Sequence, residues 1–289
     1  MINEINNIEN KFKQYLEYLG YTQNTVLMAY ASIKEFLHYI AIVDVESISQ
    51  EQIQSYYEHL QNRNHKRKDE PLSEVYINHQ MYCLKLFFSW LEQTHQITYN
   101  PISNIQFKRP KANTRQPLSQ HQIKQLFDAT QNLQEKTILH LCYSCGLRRS
   151  EAVNLNLIDI DFGNNVLYVR NGKGAKRRVI PINKIVKNDL ENYVKEYRKD
   201  KDLEPFMLGG IKHRISGDSL NKTLKAIIEN SEISHLTSQI SLHHLRHSIA
   251  THLLENGMSI EFVRDFLGHS HLETTQIYAK VRSYQIKKL

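Results

Sequence analysis

VLYVRNGKGAKRRVIPI, residues 166–182, changes the period of the chain around it. Val166-Leu167-Tyr168-Val169 and Arg178-Val179-Ile180-Pro181-Ile182 are runs rich in β-branched and aromatic residues, and Asn171-Gly172-Lys173-Gly174 between them is turn chemistry. The stretch reads as a β-hairpin with a lysine between two glycines at its tip. Elsewhere the apolar residues recur at helical spacing, so the hairpin marks a small sheet inside a mainly α chain.

Upstream the pattern is helical throughout. Ile5, Ile8, Phe12, Tyr15, Leu16 and Leu19 share one helical face; Val26, Tyr30, Ile33, Phe36, Leu37 and Ile40 share a second. Ile53, Tyr56, Tyr57 and Leu60 form a third, and the run from Tyr76 to Leu91 a fourth, with Ser49 and Ser73 placed as N-caps of the last two. This predicts a small four-helix bundle over residues 1–106. Downstream, Ser119-Gln120-His121-Gln122 is a capping box ahead of Ile123, Leu126 and Phe127, and Glu135 to Tyr143 is a helix stopped by Gly146. Further helices are expected over 185–198, 218–230, 244–256 and 260–267, with a short one near 274–279. Residues 118–289 therefore read as an α+β domain.

The composition is that of a folded chain: 289 residues, 40% hydrophobic and 23% charged, enough for two ordinary domains. Its charge is unevenly placed. Residues 1–117 hold 12 basic and 12 acidic side chains, so the whole excess of +7 falls after Pro117. An anionic partner is implied. Between the two parts, FKRPKANTRQP (107–117) carries Lys108, Arg109, Lys111 and Arg115 with two prolines and no acid, which suits an extended linker. A second basic stretch, Arg63 with Lys66, Arg67 and Lys68, lies between the third and fourth helices; it reads either as a solvated loop or as one that meets phosphates. The apolar run 137–147 is too short for a membrane span, and MINEINNIENK lacks the regions of a signal peptide. Three cysteines do not make a disulfide framework. The expectation is a soluble, cytoplasmic protein with no membrane association.

Several familiar chemistries are set aside. There is no GxxxxGK[ST], so no ATP is implied. Cys142 and Cys145 share one apolar helix with no second CxxC, which reads as buried thiols; no metal is expected. His243 and His247 stand four apart, but His244 occupies the position where HExxH needs its glutamate. What is left is a scattered set of phosphate-binding types: Gly146-Leu147-Arg148 with Glu151, Lys173 in the hairpin, His243-x-x-Arg246, Leu267-Gly268-His269, and Thr274-Thr275-Gln276-Ile277-Tyr278. Each alone has an ordinary structural reading: Arg148 as a helix-end cation paired with Glu151, Lys173 as a turn residue, His269 as a cap, Tyr278 as a packing aromatic.

Together and in this order the segments resemble the tyrosine recombinases, the lambda-type integrases that include the Xer group. Gly146-Leu147-Arg148 with Glu151 matches the GLRxxE box, 172–178 the GKGxKxR hairpin, 243–247 the HxLRH box, 267–269 the LGH box and 274–278 the TTxxY box. The N-terminal bundle, with Leu72 to Leu91 as its last long helix, is similar to that family's SAM-like core-binding domain. Arg149, where relatives often carry an apolar residue, and the long basic loop are local differences.

The resemblance implies catalysis by Arg148, Lys173, His243, Arg246, His269 and Tyr278, with Tyr278 the nucleophile and Glu151 supporting Arg148. Two arginine forks suit the non-bridging oxygens of a phosphodiester, the lysine can protonate a leaving 5′ oxygen, and the histidines can donate or accept protons. It implies a 3′-phosphotyrosyl intermediate and a four-way junction, needing neither ATP, metal nor cofactor. The partner would be double-stranded DNA with paired half-sites, held by a homo-tetramer with or without a second recombinase, and the segment after Tyr278 would pack into a neighbouring protomer. Lys176, Arg177 and Arg178 join the linker and loop cations as expected DNA contacts. A type IB topoisomerase and a catalytically silent DNA-binding protein are the competing readings. The basic stretch 63–68 and the Lys/Asn-rich composition favour integration and excision of a mobile element, with Xer-type resolution of chromosome dimers as the alternative.

Overall fold

The computed structural model describes residues 2–41, 44–65, 69–108, 116–170, 177–198, 204–210 and 213–268. The chain divides into two compact units, Met1–Asn113 and Thr114–Leu289. Among the described residues no helix is long and apolar enough to cross a membrane.

In the first unit, α1 (Ile2–Tyr18), α2 (Gln23–Ile40), α3 (Gln50–Asn62) and α4 (Glu74–Gln93) form the bundle. Phe12, Phe36, Phe87 and Phe88 fill its centre, with Phe12 edge-on to Phe87 at 5.2 Å between ring centroids. Ser49 and Ser73 cap α3 and α4 as the sequence predicts, Ser49 in a full capping box with Gln52. Leu19 departs from the expectation: it lies past the end of α1 and half its surface meets solvent.

Arg63 is a correction. It ends α3 and turns inward, so that its Nη2 pairs with Glu35 Oε1 and the side chain keeps only 16% of its exposure. Tyr76 Oη donates to the other Glu35 oxygen at 3.4 Å and itself accepts from Gln80 Nε2 at 2.6 Å. In this structure the Arg63 guanidinium is engaged by a carboxylate of its own bundle. Lys66, Arg67 and Lys68 lie outside the described residues. The start of the expected linker also sits on this unit. Phe107 packs on Tyr57 at 5.0 Å, and Lys108 Nζ meets Glu74 Oε1 at 2.9 Å.

The second unit holds α5 (Gln120–Asp128), α6 (Leu133–Leu139), α7 (Arg149–Asn154), α8 (Lys184–Tyr197), α9 (Gly217–Glu229), α10 (Leu242–Glu255) and α11 (Ile260–Leu267). Its sheet is antiparallel in the order β1 (Ile160–Asp161), β2 (Val166–Val169), β3 (Arg178–Pro181), with Val169 opposite Arg178 and Leu167 opposite Ile180. The predicted hairpin strands are β2 and β3; β1, two residues long, is too short to show a period. The hairpin tip 171–176 and the expected helix at 274–279 are outside the described residues.

The helix expected over 135–143 changes winding instead. After α6, residues His140–Ser144 form a π-helical turn. His140 holds it, with Nδ1 3.1 Å from Ser144 Oγ and Nε2 2.9 Å from Asp189 Oδ2 on α8. The wider turn delivers Gly146 at φ +58, a left-handed conformation suited to glycine, where an added Cβ would stand 3.0 Å from both Leu267 Cδ2 and Phe266 Cε1. Cys142 and Cys145 are fully buried free thiols, and burial pushes both up to about 12.

Candidate active site

Arg148 follows directly from that turn and occupies the N-cap of α7. Glu151, at the third helical position, reaches back to it: Oε2 accepts the Arg148 backbone N–H at 2.8 Å and Oε1 accepts Nη1 at 2.8 Å. This is a capping box run by a carboxylate, which also satisfies a helix-start donor. Arg178, the first residue of β3, approaches the same carboxylate fork to fork, with Nη1 on Oε1 at 3.0 Å and Nη2 on Oε2 at 2.8 Å. Arg246 comes in from α10 with Nη1 3.8 Å from Glu151 Oε2, and that same nitrogen donates to the Gly146 carbonyl.

The other side of the cluster is the C-terminal end of α11. Three successive carbonyls there each accept from a different arginine: Phe266 O from Arg178 Nε at 2.9 Å, Leu267 O from Arg246 Nη2 at 2.6 Å and Gly268 O from Arg148 Nη2 at 3.2 Å. A helix C-terminus carries partial negative charge, so it suits three cations. Gly268 ends the helix at φ +63, and an added Cβ would stand 3.0 Å from Arg178 Cδ.

Glu151 keeps 2% side-chain exposure. Burial alone would raise its pKa; the hydrogen bonds and charge of Arg178, with the bonds from Arg148, outweigh that and hold it at about 2. The carboxylate is therefore ionised at any working pH. Of the three guanidiniums, Arg178 and Arg246 are enclosed at 7% and 2% side-chain exposure, and Arg148 is the most open at 21%.

His243 lies one position after the start of α10, exposed, and three residues before Arg246, so both fall on neighbouring positions of one helix side. Its neighbour His244 has a structural task that the sequence did not announce: Nδ1 accepts the Ser241 backbone N–H at 3.1 Å at the helix start. The structure thus brings Arg148, Glu151 and Arg246 together. Lys173, His269 and Tyr278, with Lys176, Arg109, Lys111 and Arg115, lie outside the described residues. Arg177 is exposed just before β3.

Arg178 is the second correction. The sequence grouped it with the DNA contacts, whereas all its guanidinium nitrogens are engaged inside the protein. The signal that finds it is the strand alternation, since Arg178 shares a face with buried Ile180 while Val179 and Pro181 point outward. Among the described residues no group of three or more His, Cys, Asp or Glu side chains is arranged to hold a metal ion.

A helical domain with a three-stranded sheet, carrying the GLRxxE arginine and the HxLRH arginine about one buried glutamate, defines the class of the tyrosine recombinases. Residues 116–284 match the phage integrase family, more than half of the chain, and the chain belongs to that family. It is 37% identical over 183 residues to tyrosine recombinase XerA of Pyrococcus horikoshii, 63% of either chain. It is 30% identical over 281 residues to a tyrosine recombinase of Pseudothermotoga lettingae, spanning 95% of this chain and 93% of the relative. Two solved structures share the fold. The Tn1549 transposon integrase in complex with transposon right end DNA gives a TM-score of 0.74 at 18% identity, covering 97% of this chain and 99% of that one. A lambda integrase dimer bound to a COC' core site gives 0.72 at 15%, covering 92% and 95%.

Proposed function

We propose that this tyrosine recombinase cuts and rejoins duplex DNA through a covalent bond between Tyr278 and a 3′ phosphate, and that it does so as a site-specific enzyme on paired half-sites. The observation that carries the reading is the convergence of Arg148 and Arg246 on Glu151, because a phosphodiester under attack by a phenolate gathers negative charge on its non-bridging oxygens. Arg148, the most open of the three arginines, presents its fork to one of those oxygens, and Arg246 stabilises the same charge from behind. Preorganised donors of this kind contribute about 3 kcal/mol each to a transition state. His243 takes the Tyr278 proton as the Oη–P bond forms; Lys173 gives a proton to the 5′ oxygen as the P–O bond breaks; His269 donates to the phosphoryl oxygens. The phosphotyrosine preserves the bond energy, so a second 5′-hydroxyl reverses the step without ATP.

Exchange of two strand pairs through a Holliday junction requires four protomers, and the homo-tetramer is part of the proposal. So is a cytoplasmic location on bacterial DNA. The biological role proposed is integration and excision of a mobile element, in keeping with the long basic stretch 63–68 and the Lys/Asn-rich composition. Relatives named XerA and XerC favour a second reading, resolution of chromosome dimers.

The test is a library of nicked duplexes with a randomised core, in which cleavage lets the short downstream fragment with its free 5′-hydroxyl diffuse away and leaves the protein trapped on the 3′ phosphate. A Tyr278-dependent adduct with one enriched sequence is expected, and Tyr278→Phe abolishes it. Relaxation of any supercoiled plasmid without sequence preference would favour a type IB topoisomerase; binding with no adduct would leave a DNA-binding protein.

A further inference from the structure

We infer that Arg178 is a positioning residue for the cleavage step: it acts on the scissile phosphate through Arg148 and Arg246, without touching DNA. The inference rests on the reading just given. Glu151 is the pivot on which Arg148 is oriented, and a carboxylate on a freely turning side chain would be a poor pivot. Arg178 fixes it. Two parallel N–H···O bonds, 3.0 and 2.8 Å long, define the plane of the carboxylate. Oε1 also receives Arg148 Nη1 and Oε2 the Arg148 backbone N–H, so the two oxygens that Arg178 holds are the two that hold Arg148.

The third nitrogen of Arg178 reaches the other half of the cradle. Nε donates to Phe266 O, the first of three successive carbonyls whose next two accept from Arg246 and Arg148. The Arg178 stem is also close to Gly268, where an added Cβ would meet Cδ at 3.0 Å and Nη1 at 3.1 Å. One side chain thus couples β3, the buried glutamate and the end of α11. Lysine keeps the charge but offers no planar fork and cannot bridge Glu151 and Phe266 at once. Arg178 differs from Arg246 in its partners: both its terminal nitrogens hold the Glu151 carboxylate, whereas those of Arg246 hold neutral carbonyls, which an anionic phosphate displaces more readily.

The test uses the full chain and the nicked duplex recovered from the library, with Arg178→Lys, Arg178→Ala, Arg148→Lys and the double variant Arg178→Lys/Arg148→Lys. Single-turnover adduct formation, duplex affinity and melting temperature are read for each. Arg178→Lys should slow adduct formation 10- to 100-fold while the affinity stays within threefold. In the Arg148→Lys background the same change should cost less than threefold, because the two residues act as a unit. Should Arg178→Ala fail to fold, Arg178→Lys carries the test. A wild-type rate in Arg178→Lys, a loss confined to affinity, or losses that multiply in the double variant would each overturn the inference. If the wild-type chain itself forms no adduct, the recombinase reading fails, and this inference with it.

Discussion

Glu151 holds Arg148 at two points, the backbone N–H on Oε2 and Nη1 on Oε1, both at 2.8 Å. The helix start and the orientation of the arginine fork are therefore one structural event. Glu151→Gln keeps the shape but removes the charge from a carboxylate that three guanidiniums approach. Breaking a buried ion pair from one side costs about 3 to 5 kcal/mol. For a unit of this size that is on the order of 10 °C in Tm. Calorimetry of the variant should show this drop, together with a slower cleavage step.

The same carboxylate sets an acid limit. Its folded pKa of about 2 lies below its ordinary 4.5, so its stabilisation is fully present above pH 4.5 and is lost as pH falls toward 2. The shift corresponds to about 3 kcal/mol. The stability gap between wild type and Glu151→Gln, measured by denaturant titration, should stay constant from pH 7 to 5 and narrow below 4.5.

Two histidines act in a milder range. Burial lowers the pKa of His140, against the pull of Asp189 and with help from Lys136, and burial likewise lowers His252, whose Nδ1 is 2.9 Å from Tyr143 Oη. Both bind protons less readily in the fold than in the unfolded chain, so stability is full above pH 6.5 and falls as pH drops below it through the folded values. Denaturant midpoints at pH 7.5 and 5.5 should show the decline in wild type and a flatter profile in His140→Gln.

Arg63 should behave as part of the bundle. Arg63→Ala leaves half-buried Glu35 facing a lost partner, and a destabilisation of about 2 kcal/mol is expected. The salt dependence of DNA binding should not change. A slope reduced by about 1 would return Arg63 to the phosphate contacts.

The linker gives the opposite outcome. Replacing Lys108, Arg109, Lys111 and Arg115 by alanine should weaken binding across sequences and flatten the slope of log K against log salt by about 3 to 4. The exposed Lys108–Glu74 pair does not exempt Lys108, since such pairs are worth about 0 to 1 kcal/mol.

Where one rule governs a segment, the sequence was legible. Helical periodicity located α1 to α4, the capping box at Ser119 located α5, and strand chemistry located β2 and β3. Arg148 and Arg246 were legible as motif residues, and the structure brings both to Glu151. What escaped depends on contacts between distant segments. Arg63 and Arg178 look like any surface cation until Glu35 and Glu151 are brought beside them, 28 and 27 residues away. The π-helical turn escaped because its apolar pattern is that of an α-helix, while His140 in it meets Asp189 from 49 residues away.

The most direct measurement is mass spectrometry of the tryptic peptide that retains nucleotide after the protein is trapped on a nicked duplex. The account predicts a 3′-phosphonucleotide ester on Tyr278 and a free 5′-hydroxyl on the released strand. An adduct on another residue, a 5′-phosphate linkage, or unchanged trapping in Tyr278→Phe would contradict it.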